Sequence, residues 1–347
     1  MALALSVGAV GCGQSAPATS AKSSTAPTQA ASPTAQPKLQ TVTMAFPIFN
    51  LFGSPILLAQ KLGYFKAHGI DMKIVTLQGS PASNGALVSG SAQFAATNSL
   101  GVFVARQKGV PLVAVVGIDQ GEPFEMAVSK TAAAQAGITP STPINTMLKD
   151  MKGWKIGVSS PGSTPALMFK GLLSQAGLPA SWVTFLGISS GPGMVTALGH
   201  GEVQGYFTDF PTPEEAVAQG TGFVAFKLNS VPAIQSIQGD VVVATDSYAR
   251  SHPDTVRAVA AAIAEADTFL AQHPHQAAQD LVGVFPHLTA AQLEQGLADY
   301  GWQKGGAMTA TLWQNAAQLY YQWHIVPKPI PASAIQAAYT LEYLPTP

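Results

Sequence analysis

Two stretches 111 residues apart carry the same skeleton: ALVSGSAQFAAT (86–97) and ALGHGEVQGYFT (197–208) match at Ala, Leu, Gly, Gln and Thr. Upstream, GI-x4-VT (69–76) is echoed by GL-x4-VT (177–184) at a slightly different offset. Such a period is far longer than that of a solenoid. It predicts one α/β unit used twice, and so two similar lobes, each with its own core. Few architectures accommodate that.

The text around each copy alternates short apolar strands with helical stretches. In the first copy VTMAF (42–46), DMKIVTL (71–77), AQFAAT (92–97) and VPLVAVVGI (110–118) read as strands. Helices are expected over 55–66, over 81–90 and from Val102 to Gln107, the first striped by Ile56, Ala59, Gln60 and Gly63 and closed by Gly69. In the second, KIGVS (155–159), WVTFLGI (182–188) and EVQGYFT (202–208) read as strands. Strands separated by helices of ~10–15 residues indicate parallel βαβ units. EPFEMAVSK (122–130) and GDVVVATDSYA (239–249) are strand-like and flank the second copy, which predicts two crossings between lobes and a hinge that can open and close. Residues 252–274 form an amphipathic helix with the stripe Val256, Val259, Ile263, Ala266 and Leu270, and further helices are expected over 289–299 and 309–323.

The stretch Trp154–Leu178 opens the second copy as strand, small-residue loop and helix, with Ala166, Phe169, Leu173 and Ala176 at helical spacing and Gly177 as the stop. A Ser-Pro-Gly-Ser loop leaves the first N–H groups of the helix to a ligand, or to Ser163 or Thr164 as an ordinary N-cap. The sequence leaves both open.

Composition narrows the function. Charged residues are 10% of the 347 and the net charge is −1, so no basic field exists for nucleic acid. The single cysteine, Cys12, excludes a disulfide framework and any cysteine-based metal cluster. It follows the small apolar residues Ala9-Val10-Gly11, which resemble a lipobox, although the basic n-region that precedes one is missing and the true start is expected upstream. Residues 13–38 are almost wholly Ser, Thr, Ala, Pro, Gln and Gly and suit a flexible tether.

The body then resembles a known family. PILLAQKLGYFKAHGIDMKIVTLQGS (55–80), GALVSGSAQFAATNSLGVFVARQKGVPLVAVV (85–116), LKDMKGWKIGVSSPGST (148–164) and SYARSHPDTVRAVAAAI (247–263) are similar, in order, to the solute-binding proteins of ABC importers for nitrate, sulfonates, taurine and thiamine precursors. The resemblance covers about residues 41–275. It implies the type II periplasmic-binding-protein fold, two α/β lobes joined by two crossing hinge strands, with a ligand cleft between them. It implies as partners a small molecule, the transmembrane permease subunits and a cytoplasmic ATPase, with no cofactor. The protein would be a monomer held at the extracytoplasmic face of a bacterial membrane by lipid on Cys12 alone. The chain then divides into a signal-peptide remnant and lipobox (1–12), a tether (13–38), the first part of lobe one (39–125), lobe two (126–242), and a return to lobe one with C-terminal helices (243–347). Where the family usually carries Asp after each "AL..G", this chain has Gln93 and Gln204, read here as turn-stabilising side chains near a strand start.

Ligands of open α/β sheets sit beyond the carboxyl ends of the strands. Those ends supply Phe49, Asn50, Phe52, Gly79, Ser80, Thr97, Asn98 and Asp119 from the first lobe. The second supplies Ser159, Ser160, Gly162, Ser163, Thr164, Ser189, Asp209 and Phe210. The resemblance carries ligand contact by position to Asn50, Ser80, Ser159, Ser160, Ser163 and Thr164. Phe49 and Phe52 fit a core equally well, Ser80 and Thr164 fit helix caps, and Asp209 before Phe210-Pro211 fits a turn. These ends hold no Arg or Lys, whereas a desolvated dianion usually takes a guanidinium fork. Aromatic, amide and hydroxyl groups suit a small planar heterocycle better than nitrate, and Asp119 and Asp209 tolerate an amine. The same fold carries enzymes related to pyrimidine synthases and menaquinone-pathway enzymes. Here no Ser-His-Asp order, H-E-x-x-H or P-loop is present and no histidine stands at the strand ends named, so a catalytic role is the alternative.

Overall fold

The computed structural model describes residues 39–47, 50–77, 79–285 and 288–345. Cys12, the 13–38 tether and Phe49 lie outside them.

The first repeat runs β1 (Gln40–Phe46), α1 (Ser54–Lys61), α2 (Tyr64–Ala67), β2 (Ile70–Thr76), α3 (Gly79–Ser89), β3 (Phe94–Asn98), α4 (Ser99–Gln107) and β4 (Leu112–Gly117). The single helix expected over 55–66 is two, because Gly63 takes a left-handed φ of 81° and resets the chain direction between them. A two-residue strand β5 (Asp119–Gln120) then leads across to β6 (Glu125–Ser129), α5 (Lys130–Ala136) and α6 (Ile144–Asp150). The second repeat follows as β7 (Lys155–Val158), α7 (Thr164–Gln175), β8 (Thr184–Gly187), α8 (Gly191–Gly199), β9 (Gly205–Thr208), α9 (Thr212–Ala218) and β10 (Gly222–Lys227). The chain returns through β11 (Asp240–Thr245) to α10 (Asp246–Ser251), α11 (Pro253–Gln272), α12 (Pro274–Leu281), α13 (Ala290–Leu297), β12 (Gly301–Trp302), α14 (Ala310–Gln322) and α15 (Ala332–Ala338).

Two five-stranded sheets result, ordered β2-β1-β3-β11-β4 and β10-β6-β9-β7-β8. Each has a parallel centre and receives one strand, antiparallel, from the far side of a crossing: β11 in the first and β6 in the second. β3, β4, β6 and β9 are buried along their whole length, as sheets covered on both faces require. The stripe expected on α11 is buried throughout and rests on the first sheet's core.

The repeat is a repeat of register. Met44 pairs with Phe94 and Ile156 with Gly205, while Met44 also pairs with Ile74 and Ile156 with Phe185. The two glutamines serve it identically. Gln93 Oε1 accepts from Thr43 N–H at 2.9 Å and Gln204 Oε1 from Lys155 N–H at 2.8 Å, each tying the strand start to the first strand of its unit. The upstream GI/GL echo is not part of this symmetry. Register equates Ile74 with Phe185, three residues away from the match that the Val-Thr pairs suggest, so that likeness is a coincidence of composition.

The two crossing segments pair with each other. Gly121 N–H donates to Ile237 O at 3.0 Å, Gly239 N–H to Asp119 O at 3.2 Å, and Gln120 bridges Gln238. β12 adds to β5, so the C-terminal part of the chain braces the same place. Gly239 has no room for a side chain there: a Cβ would stand 2.2 Å from Asp119 Oδ1 and 2.4 Å from Gly121 O.

Candidate functional site

The carboxyl ends of β1, β3, β7 and β9 converge on a cavity of about 60 Å³, bounded by residues of both sheets. Asn50, Phe52, Gly79, Thr97 and Asn98 contribute from the first sheet's side, and Ser159, Ser163, Thr164 and Asp209 from the second's. All nine were expected from strand ends. Pro47, Phe124, Pro165, Thr208 and Asp240 complete the wall and were not.

The cleft is closed by side chains that reach across it. Asn50 Nδ2 donates to Asp209 Oδ2 at 2.5 Å and Thr164 Oγ1 donates to Asn98 Oδ1 at 3.2 Å. Asn98 also caps α4 by accepting from Gly101 N–H at 2.9 Å, and its Nδ2 lies 3.4 Å from Glu122 Oε2. Phe210 also reaches across. It leaves the end of β9 yet packs in the first sheet's core beside Leu51, and Gly296 on α13 makes its space, since a Cβ there would stand 2.6 Å from the ring. Phe210 therefore ties the lobes together from behind the wall.

The loop before α7 resolves the alternatives that its sequence left open. Ser163 occupies the N-cap position but turns its hydroxyl back to Ser160 O at 2.6 Å, and Thr164 spends its hydroxyl on Asn98. Neither caps the helix. Gly162 lines a neighbouring apolar groove of about 440 Å³ between α3, α4 and α7, which meets the cavity at Thr164. Ser160 borders the cavity without lining it, its Oγ facing Gly79 at 3.7 Å from where a Cβ would stand. Ser189 is exposed, with Ser190 beside it capping α8. Ser80 lies in α3, and its side chain is outside the described set.

Asp119 stands behind the wall, fully buried, with its Oδ1 accepting from Asp240 N–H at 2.7 Å. It heads a group of carboxyls, Asp119, Glu122, Asp209 and Asp240, each at most 9% exposed, and among the described residues no Lys or Arg pairs with them or lines the cavity. Asp119 Oδ2 and Glu122 Oε1 have no hydrogen-bond partner among the described residues. Burial pushes Asp209 up to about 6 and Asp119 up to about 7, and raises Glu122 and Asp240 well above the usual carboxylate range, each reinforced by its acidic neighbours.

These shifts set a pH dependence. Between about pH 4 and 7 the folded chain holds protons on these carboxyls that the unfolded chain has released, so stability falls as pH rises through that window. Asp267, facing Asp119 from α11, and Glu214, beside Glu125, act in the same direction, both being raised by burial. Ligand-free protein is expected to lose several degrees of Tm from about pH 5 to about pH 7.5, read by calorimetry, with a shallower slope in Asp119→Asn. A Tm rising over that range would contradict the assignment.

Comparison with known proteins places these features in context. A family model described as NMT1/THI5 like matches residues 53–277. Riboflavin-binding protein RibY of Chloroflexus aurantiacus is 30% identical over 171 residues, which is 46% of this chain and 45% of that protein, so the chain spans under half of that relative's length. A solved structure from Bordetella bronchiseptica RB50 superposes with a TM-score of 0.74 at 23% identity, covering 87% of this chain and 95% of the other. The alkanesulfonate-binding protein SsuA of Xanthomonas axonopodis pv. citri, bound to MOPS, superposes at 0.67 with 19% identity, over 86% and 98%. At such identities the likeness is one of fold: the periplasmic-binding-protein architecture of two α/β lobes joined by two crossings.

Proposed function

The chain belongs to the NMT1/THI5-like family, and on that premise we propose that it is the substrate-binding component of an ABC importer. It captures a small organic solute between its lobes and presents the closed form to a transmembrane permease. The observation that carries this reading is the cavity itself: it lies at the strand ends, draws its wall from both sheets, and is shut by Asn50–Asp209 and Thr164–Asn98 hydrogen bonds. A ligand touching both walls favours closure by its differential affinity for the closed state. No helix among the described residues is long and apolar enough to cross a membrane, and lipid on Cys12 would supply the attachment, with the body outside the cytoplasm as a monomer.

Phe52 and Phe124 in the wall, and the absence of a guanidinium or ammonium group among the described lining residues, favour a weakly charged planar heterocycle over nitrate or a sulfonate. A thermal-shift panel of aminopyrimidines, nitrate and ethanesulfonate tests this. The expected result is stabilisation by a heterocycle. A gain of several degrees with nitrate or the sulfonate, and none with heterocycles, would overturn the ligand preference.

A further inference from the structure

Much of the wall's hydrogen-bonding capacity is already spent within the protein: Thr208 Oγ1 donates to Asp209, Ser163 Oγ to Ser160 O, Thr164 Oγ1 to Asn98, Asn50 Nδ2 to Asp209, and Asn98 Nδ2 faces Glu122. The hydroxyls of Thr97 and Ser159 remain in the wall, and so does one buried acceptor. Asn50 Oδ1 is buried and has no partner among the described residues, and its orientation is fixed because the amide nitrogen is held by Asp209. The carboxylates of Asp209 and Asp240 line the same wall, with Asp119 and Glu122 behind them. A ligand that donates to Asn50 Oδ1 satisfies that buried acceptor, and above about pH 6 it meets the ionised Asp209 carboxylate in the same wall.

We propose that the cavity is built for a planar organic cation bearing N–H donors, an amidinium or a protonated aminoheterocycle, with Asp209 as its charge partner and Asn50 Oδ1 accepting a second N–H. The inference rests on the substrate-binding reading above and narrows its ligand class. Phe52 and Phe124 give the planar cation aromatic surface in the same wall. The cation is organic, because among the described residues no three of His, Cys, Asp and Glu come together to hold a metal ion. Charge also supplies selectivity: a sulfonate or carboxylate of the same shape meets the like charge of Asp209 and leaves Asn50 Oδ1 unpaired.

Benzamidine, benzamide and benzoate form a matched series of cation, neutral amide and anion, and isothermal titration of the full chain with each tests the proposal. Affinity is expected to order benzamidine above benzamide above benzoate, and benzamidine affinity to rise with pH through about 6 as Asp209 gives up its proton. Asp209→Asn is expected to weaken benzamidine about 30-fold or more and benzamide by a much smaller factor, so that the preference for the cation is lost. Should that variant fail to fold, the wild-type ordering and its pH dependence decide the matter alone. Benzoate binding as tightly as benzamidine, or no preference for the cation, overturns the ligand class and leaves the binding-protein reading standing. That reading falls separately if no heterocycle, nitrate or sulfonate of the thermal-shift panel binds.

Discussion

Replacing Phe207 with alanine is expected to lower the unfolding free energy by about 3–5 kcal/mol, the largest stability loss of any single change considered for this chain. Phe207 lies in the middle of β9, fully buried, and its ring meets three others: Phe169 at 5.4 Å, Phe124 at 5.7 Å and Phe226 at 5.9 Å between centroids. These rings come from α7, the crossing segment before β6, and β10. One truncation therefore opens a void shared by four elements, and sheet strands cannot close in to fill it. Phe124 also lines the cavity, so the variant is expected to bind ligand more weakly even where it remains folded. Equilibrium unfolding in denaturant reads the first effect and titration the second. A loss under about 1 kcal/mol would show that the second lobe's core does not depend on this cluster.

The second large effect belongs to Asn98. Its side chain caps α4, accepts the Thr164 hydroxyl from the other lobe, and faces the buried Glu122. Asn98→Ala removes all three. The lost cap costs about 1 kcal/mol. Leaving Glu122 without its amide neighbour adds about 1–3 kcal/mol. Ligand affinity is expected to fall at least tenfold, roughly 1.4 kcal/mol, because closure loses one of the two hydrogen bonds that span the cavity. Thr164→Val separates the contributions: it removes the interlobe bond alone, so affinity is expected to fall while unfolding changes by less than about 1 kcal/mol. Equal loss of stability in both variants would mean that the Thr164 contact holds the fold rather than the closed state.

Much of this molecule can be read along the chain because its symmetry is written in local pattern. The paired strands, the αL glycines that stop helices and the glutamines at 93 and 204 sit at fixed distances in sequence, and strand register preserves those distances. The nine wall residues found from sequence follow from one rule, that ligands lie past the carboxyl ends of parallel strands. Phe124 and Asp240 escape that rule for a definite reason. They stand at the amino ends of β6 and β11, which run antiparallel to their neighbours, so Asp240 is level with Asn98, and Glu125, next to Phe124, with Thr208. Thr208 itself carried a signal, being the repeat counterpart of Thr97. Phe210 looked like wall and is core, because its partners Leu51 and Gly296 lie far off in the chain and no periodicity links them. Asp119 follows a strand end as a wall residue would, yet it is buried behind the cavity lining, its Oδ1 held by Asp240 N–H beside a strand only two residues long.

The central claim is that the two lobes close over a donor-rich, positively charged organic molecule. Native mass spectrometry of the freshly isolated full chain, with and without the Asp209→Asn change, tests it most directly. The account predicts a bound small molecule carrying a basic nitrogen in the wild-type protein and its loss from the variant. A sulfonate or other anion retained by both proteins would contradict it.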